Sequence, residues 1–366
     1  VTREADARAM AHALALGRRS MGQAWPNPAV GCVLVRDGRV VARGWTAPGG
    51  RPHAEAAALA AAGETARGAT AYVTLEPCAH HGQTPPCAEA LVAAGVSRVV
   101  IAAPDPDPRV AGKGAAILRA AGVEVVEGVR RAEAELDLAG FLSRFTTGRP
   151  WLTLKLAATL DGRIATATGE SKWITGPRAR AEVQALRARH DAVMVGGGTA
   201  RADDPRLTLR GMGERRAPVR VVLSRRLDLP VESELMRTAR GIPVWLVHGA
   251  GLREAAGAPF AAAGAELVEA PVAGGQIDPA GALEALAARG LTRVFCEGGG
   301  GLAASLLGAG LVDELVLFTA GLAIGAEGTP ALAAMGLGAL AEAPRLALVE
   351  SRAVGADVMS VWRRGG

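Results

Sequence analysis

Pro52-His53-Ala54-Glu55, then Thr74-Leu75-Glu76-Pro77-Cys78, then Thr84-Pro85-Pro86-Cys87 are the stretches that decide the fold of the first half of this chain. Residues 71–75 form a short apolar run of strand length, and the run ends by delivering Glu76-Pro77-Cys78. Residues 53–62 read as a helix from their alanines, with His53 at its start. Residues 87–94 read as a second helix, preceded by Pro85-Pro86 in keeping with proline's place in a first helical turn. Strands and helices that alternate in this way imply an α/β layer fold.

The pattern continues outward. Residues 4–18 read as a helix with Ala9, Ala13, Leu14 and Leu16 on or near one face. Residues 30–35 and 40–45 flank Asp37-Gly38, a strong hairpin signal. Further strands are expected at 99–102 and 123–127 and a helix at 114–121. A single charged helix is expected over 130–144. The polar stretch Thr146-Thr147-Gly148-Arg149-Pro150 then marks a boundary, dividing the chain into domains 1–147 and 148–366. The second domain repeats the α/β pattern. Its expected strands are 151–156, 192–195, 219–223, 244–247 and 294–296, with helices at 178–189 and 280–288 and loops at 210–217 and 270–277.

His53, Cys78 and Cys87 offer one imidazole and two thiolates, a donor set suited to zinc that leaves a fourth tetrahedral position open for water. Glu55, two residues past the histidine, is placed as the proton carrier such a site needs. A histidine, a non-ligating glutamate and a Pro-Cys with a second cysteine describe zinc-dependent deaminases of nucleobase-like amino groups. Taken singly, these features are common: His-x-Glu occurs on solvated helix starts, and two cysteines are as readily core residues. His80 and His81 stand as rival ligands, and either one closing the site as a fourth ligand would favour a structural zinc in a non-catalytic scaffold.

The 366 residues carry a net charge of +5, with 49% hydrophobic residues but only 3% aromatic. The basic doublets Arg215-Arg216 and Arg225-Arg226 are short, and stacking platforms for nucleic acid need aromatics interleaved with the basic residues. Nucleic acid is therefore not expected as a partner. The four cysteines suit a reducing compartment better than a disulfide scaffold, and Cys32 and Cys296 lie in strand-like runs as buried hydrophobes. No apolar run reads as a membrane span or a secretory h-region, so a cytoplasmic protein without membrane association is expected. Two glycine runs follow strands, Gly196-Gly197-Gly198-Thr199 and Gly298-Gly299-Gly300-Gly301 ahead of a helix at 302–307. Such turns let phosphate approach backbone N–H groups, although neither is a GxGxxG fingerprint.

The chain resembles the bifunctional riboflavin-biosynthesis deaminase/reductase family. The matching stretches are Pro26-Asn27-Pro28-Ala29-Val30-Gly31-Cys32, the metal motifs above, Lys155-Leu156-Ala157 with Leu160-Asp161-Gly162, Gly169-Glu170-Ser171-Lys172-Trp173-Ile174-Thr175, Asp203-Asp204-Pro205 and Glu297-Gly298-Gly299. The resemblance implies a cytidine-deaminase-like three-layer domain followed by a dihydrofolate-reductase-like α/β domain. The first would deaminate a phosphorylated ribosylaminopyrimidine with one zinc per chain. The second would use NADPH to reduce the ribosyl group of the resulting aminouracil to ribityl. It implies zinc ligands His53, Cys78 and Cys87, the catalytic shuttle Glu55, and Asn27 on the pyrimidine, although Asn27 between two prolines also fits a plain turn.

In the second domain the resemblance implies that Ala157, Trp173, Thr199, Asp203, Gly299, Gly300, Gly301, Leu302, Ala303, Ala304 and Ser305 contact NADPH. Lys155, Ser171, Arg187, Leu207, Arg210 and Glu297 would contact substrate. Read without it, Trp173 fits a core residue, Arg187 a solvated helix face and Asp203-Asp204-Pro205 a turn. Three departures stand out: Gln83 where the family carries Lys or Arg, Thr46 where it often carries His, and Ser224-Arg225 where an acidic residue and Ser or Thr are usual. Arg51 is a candidate replacement cation for the first, and Arg225 a candidate partner for the extra phosphate of NADPH. Small phosphorylated pyrimidines are the expected partners, and a homo-oligomer is expected. The competing reading is a nucleic-acid base deaminase with an RNA-binding second domain.

Overall fold

A computed structural model describes residues 2–81 and 85–365, so Gln83 and its departure lie outside the described residues. The chain forms two compact units, Val1–Gly148 and Arg149–Gly366. In the first, strands β1 (Gly31–Arg36), β2 (Arg39–Trp45), β3 (Thr70–Leu75), β4 (Arg98–Ala103) and β5 (Glu124–Glu127) make one sheet in the order β2-β1-β3-β4-β5. β1 runs antiparallel to β2 and β3, and β3, β4 and β5 are parallel. Asp37 and Gly38 both have positive φ, 50° and 73°, the turn geometry that matches strand twist in a two-residue hairpin.

Helices α1 (Arg3–Gly17), α2 (Ala54–Ala62), α3 (Cys87–Ala93) and α4 (Lys113–Ala120) cover this sheet. Two glycines set how closely. A Cβ at Gly44 of β2 would stand 2.1 Å from the Ala54 carbonyl, so only glycine lets the start of α2 sit against the strand. A Cβ at Gly114 of α4 would stand 2.0 Å from the Pro77 carbonyl, so α4 likewise presses on the segment that carries Cys78.

The helix expected over 130–144 is two helices, α5 (Arg131–Asp137) and α6 (Ala139–Thr146). Hydrogen bonds run through the junction, from Leu138 N–H to Ala134 O (2.9 Å) and Leu142 N–H to Leu138 O (3.0 Å). The break is a bend at Leu138, where ψ is 2°, and it lets both Leu138 and Phe141 bury in the core.

The second unit contains strands β6 (Trp151–Thr159), β7 (Arg163–Ala165), β8 (Ala192–Gly196), β9 (Val219–Leu223), β10 (Val244–Gly249), β11 (Glu266–Ala270), β12 (Val272–Ala273), β13 (Gln276–Ile277), β14 (Arg293–Cys296), β15 (Glu314–Ala320), β16 (Thr329–Pro330), β17 (Leu346–Val354) and β18 (Asp357–Arg364). Nine of them form one sheet, β11-β10-β9-β8-β14-β6-β15-β18-β17, parallel as far as β15 and antiparallel thereafter. Its helices are α7 (Pro177–Ala188), α8 (Gly197–Asp203), α9 (Glu234–Arg237), α10 (Glu254–Ala263), α11 (Pro279–Ala288) and α12 (Gly300–Gly308). The loop expected over 270–277 instead contains the hairpin β12–β13, turned by Gly274 and Gly275, both at positive φ. Gly-Gly between short runs is itself a hairpin signal.

Arg149 and Asp313 fasten the start of the second unit. The guanidinium donates to both carboxylate oxygens at 2.6 and 2.7 Å, and Asp313 also accepts from Leu152 N–H at 2.8 Å, fixing where β6 begins. Cys32 and Cys296 are fully buried in strands, as their sequence context suggests. Among the described residues no helix is long and apolar enough to cross a membrane.

Candidate active site

In the first unit three chain segments converge. His53 is the N-cap residue of α2, Cys78 follows the end of β3, and Cys87 opens α3. His53 Nδ1 lies 3.7 Å from Cys78 Sγ and 3.4 Å from Cys87 Sγ. A tetrahedral zinc, with bonds of about 2.3 Å to sulfur and about 2.0–2.1 Å to nitrogen, needs such donors about 3.6 Å apart. The observed pairs bracket that value, so the residues present fit zinc.

The electrostatics point the same way. Cys87 and His53 donate hydrogen bonds to Cys78 and bring its thiol down to about 4. The hydrogen bond that Cys87 donates to Cys78, then burial, push the Cys87 thiol strongly up, and repulsion by the negative charges of Glu55 and Cys78 adds to it. A divalent cation removes that repulsion and lets both sulfurs ligate.

Glu55, in the first turn of α2, is 4% exposed. Burial, reinforced by the charge on Cys78, raises its carboxyl to about 7. A group balanced there both takes and gives protons near neutrality.

Among the described residues the donor group stops at three. His81 is exposed and lies 3.5 Å from Glu89. His80 lines the adjoining cavity with its Nδ1 buried and unpartnered. Neither closes a four-ligand structural site.

That cavity, about 290 Å³, is lined by Asn27, Thr46, Arg51, His53, Glu55 and Cys78, and by residues that sequence reasoning missed: Asp105, Asp107, Arg109, Phe141, Arg144 and Phe145. Asn27 serves both readings, since it faces the cavity while donating from Nδ2 to Gly50 O at 2.9 Å. The Thr46 hydroxyl donates to Pro28 O (2.9 Å) and accepts from Val30 N–H (3.0 Å), pinning the Asn27 loop. Glu76 accepts from Gly112 and Ala115 N–H at 3.0 and 3.1 Å and caps α4, so its position beside Cys78 is structural. Burial raises the Asp105 carboxyl to about 6. A signal for Asp105 and Asp107 was present: they follow β4, parallel to β3, and loops at the carboxyl ends of neighbouring parallel strands share one edge.

In the second unit the structure joins Arg187 of α7 to Glu297 after β14. Arg187 donates to Glu297 at 2.5 Å (Nε) and 3.0 Å (Nη2), and to Thr208 O at 2.9 Å. The side chains are 11% and 13% exposed, so Arg187 is no solvated helix residue. Arg187, Lys155 and Arg210 all bear on Glu297 and, against burial, hold its carboxyl below the usual range. Burial lowers the Lys155 amine. Four of the six expected substrate residues thus share one charge cluster. The Leu207 side chain instead belongs to the core, and Ser171 is half-buried in the segment ahead of α7.

β8 and β14 are parallel neighbours, so both glycine runs emerge at one sheet edge. Gly196 N–H donates to Gly298 O (3.0 Å), and Gly299 N–H donates to Thr199 Oγ1 (2.9 Å). Gly299 caps α12, where Gly301 is exposed and Gly300 packs against the backbone of residues 330–333, whereas Ala303 and Ala304 are buried. Ala157 is half-buried in β6, and Asp203 ends α8 in solvent. Trp173 is 65% exposed, with Arg180 4.7 Å over its ring, so it is not a core residue.

Beside these turns lies a crevice of about 410 Å³ lined by Gly197, Gly198, Ser224, Arg225 and Gln276, with Arg201, Arg226 and Asp228. Asp228 engages Ser224 (2.8 Å) and Arg201 (2.9 Å). Cationic walls beside glycine turns fit a phosphorylated dinucleotide.

The family model for the cytidine and deoxycytidylate deaminase zinc-binding region matches residues 3–103, and that for the RibD C-terminal domain matches residues 150–360. The chain is 42% identical to riboflavin biosynthesis protein RibD of Escherichia coli, covering 95% of this chain and 96% of that protein. It is 41% identical to the Haemophilus influenzae protein of the same name, covering 98% and 97%. Among solved structures it is similar to Acinetobacter baumannii RibD, with TM-score 0.89, 38% identity and full coverage of both chains. It is also similar to a Thermotoga maritima diaminohydroxyphosphoribosylaminopyrimidine deaminase/5-amino-6-(5-phosphoribosylamino)uracil reductase, with TM-score 0.86, 32% identity and 99% of each chain covered.

Proposed function

The chain belongs to the RibD family of bifunctional riboflavin-biosynthesis deaminase/reductases, and from that premise we propose how its residues divide the two reactions. Zinc and NADPH are its cofactors. Residues 1–147 deaminate diaminohydroxyphosphoribosylaminopyrimidine, and residues 148–366 reduce 5-amino-6-(5-phosphoribosylamino)uracil; the two activities are those in the Thermotoga relative's name, and the family matches at residues 3–103 and 150–360 support this division.

His53, Cys78 and Cys87 hold the zinc, which when bound supplies the Lewis acidity that makes water nucleophilic at neutral pH. Glu55 would take a proton from the attacking water, deliver it to the ring nitrogen and pass the next to the departing amine, holding each proton on its buried carboxyl in between. Water and the amino compound become a carbonyl and ammonia. Asn27 orients the pyrimidine. Supporting this assignment are the donor spacings of 3.4 and 3.7 Å with a buried carboxyl two residues from the histidine, the observation that carries the proposal.

In the second unit Lys155, Ser171, Arg187, Leu207 (through its backbone), Arg210 and Glu297 take the substrate. Ala157, Trp173, Thr199, Asp203 and residues 299–305, the N-cap and first part of α12, take NADPH, which supplies the reducing equivalent. Arg225 reads its extra phosphate, a role supported by its place in the cationic crevice.

We place the protein in the cytoplasm, acting on small phosphorylated pyrimidines and not on nucleic acid. The scarcity of aromatics and the free cysteines support this. A homo-oligomer is supported by β17, a sheet-edge strand exposed along most of its length, with Leu348 and Val349 about half exposed.

Purified protein given the diaminopyrimidine phosphate tests the whole scheme by product mass. Without NADPH the product should exchange one amino group for a carbonyl oxygen; with it, two further hydrogens should appear. Unchanged substrate under both conditions overturns the proposal.

A further inference from the structure

Three arginines line the deaminase cavity: Arg51, Arg109 and Arg144. Two are engaged. Arg109 donates from Nε to both Asp107 oxygens at 3.0 and 2.9 Å and from Nη2 at 2.5 Å. Arg51 also has an interaction partner within the fold. Arg144 differs: among the described residues no hydrogen-bond or ion-pair partner holds its guanidinium.

Its setting is built. Arg144 lies in α6, between Phe141 and Phe145, whose rings meet at 5.0 Å centroid separation and a 59° tilt. All three side chains line the cavity. Phe141 is buried in the core and anchors the helix, and Phe145, 38% exposed, walls the mouth. Residues three and four apart on a helix share a face, so the bend at Leu138 that buries Phe141 also brings Arg144 to the cavity wall.

The other lining charges leave a phosphate few places to go. Glu55, Asp105 and Asp107 are carboxyls, and Glu76 is committed to α4. A phosphate dianion is repelled by these and attracted by a guanidinium whose five donors are uncommitted. An arginine in a last helical turn also complements the helix dipole, a purely structural role.

We infer that Arg144 is the phosphate anchor of the deaminase unit, the residue that makes it select phosphorylated over unphosphorylated pyrimidine ribosides. This rests on the deaminase reading proposed above.

The test compares deamination of the diaminopyrimidine ribosyl phosphate with that of its dephosphorylated riboside, using the full zinc-loaded chain and its Arg144→Gln and Arg144→Lys variants. Arg144→Gln should raise KM for the phosphate about 10–100-fold, the range for losing a charge-assisted hydrogen-bonded contact. Its kcat and its KM for the riboside should hold, and Arg144→Lys should recover part of the loss. An unchanged KM for the phosphate overturns the inference. So does an equal loss on both substrates, which is what a structural role would produce, or a wild-type enzyme that does not distinguish them. If the wild-type chain deaminates neither compound, the deaminase reading itself falls, a result visible before any variant is compared.

Discussion

Replacing Arg187 by methionine removes the partner that the Glu297 carboxylate faces at 2.5 and 3.0 Å. Breaking a buried ion pair by deleting one member typically costs about 3–5 kcal/mol, because a charge is left without compensation. Lys155 and Arg210 remain near Glu297 and soften the loss, which places Arg187→Met at the low end, about 3 kcal/mol. For a domain the size of the Arg149–Gly366 unit, each kcal/mol shifts Tm by about 2–4 °C, so its calorimetric transition should fall by about 6–12 °C. Glu297→Met strands Arg187 and Lys155 together and should cost at least as much. The double substitution leaves neither member of the pair stranded and should cost less than either single one. The assay is calorimetry of all four proteins, with deamination as a control on the other unit. Single losses that simply add in the double variant, within about 0.5 kcal/mol, would show that the two side chains do not act as a pair and would refute the reasoning.

Three further outcomes follow from particular groups. Glu55→Gln should lower deamination kcat at least about 10²–10⁴-fold, the share of a positioned acid–base group, while NADPH-dependent reduction of the deaminated substrate persists; equal loss of both activities would contradict the division of labour. His190 donates from Nδ1 to Leu186 O (2.7 Å) and accepts at Nε2 from the Thr153 hydroxyl (3.0 Å), and burial drops its pKa to about 3. The folded state therefore holds it neutral: the stability it contributes is complete above its unfolded pKa of about 6.5 and drains away as pH falls towards 3, about 2 kcal/mol by pH 5. His190→Gln should flatten that part of the pH–stability curve, and an unchanged slope in denaturant titrations at pH 5 and 8 would sink the assignment. Arg225→Ala should weaken NADPH about tenfold or more relative to NADH, by loss of a charge-assisted phosphate contact; an unchanged cofactor preference removes Arg225 from that role.

The zinc donors were legible in the sequence because each sits at a local landmark: His53 before a helix, Cys78 after a strand, Cys87 after Pro-Pro. Glu55 came with them, being two residues away. The rest of the cavity wall was not legible, because Arg109 and Arg144 reach it only through the packing of the β4 loop and the bend at Leu138. Arg187 and Glu297 were both expected near substrate, yet nothing within their own neighbourhoods says that they pair across 110 positions. β17 escaped notice for another reason. Its exposed edge faces solvent on both sides, so the alternation that marks a half-buried strand is absent. Trp173 misled in isolation, since an indole is more often interior than 65% exposed.

Zinc titration of metal-stripped protein, with both activities followed in parallel, tests the metal-centred account of deamination most directly. About one equivalent per chain should restore deamination from a negligible level, since three side chains make one site, while reduction of the pre-deaminated substrate should stay constant throughout. Deamination that proceeds at full rate in protein free of bound metal would contradict the account.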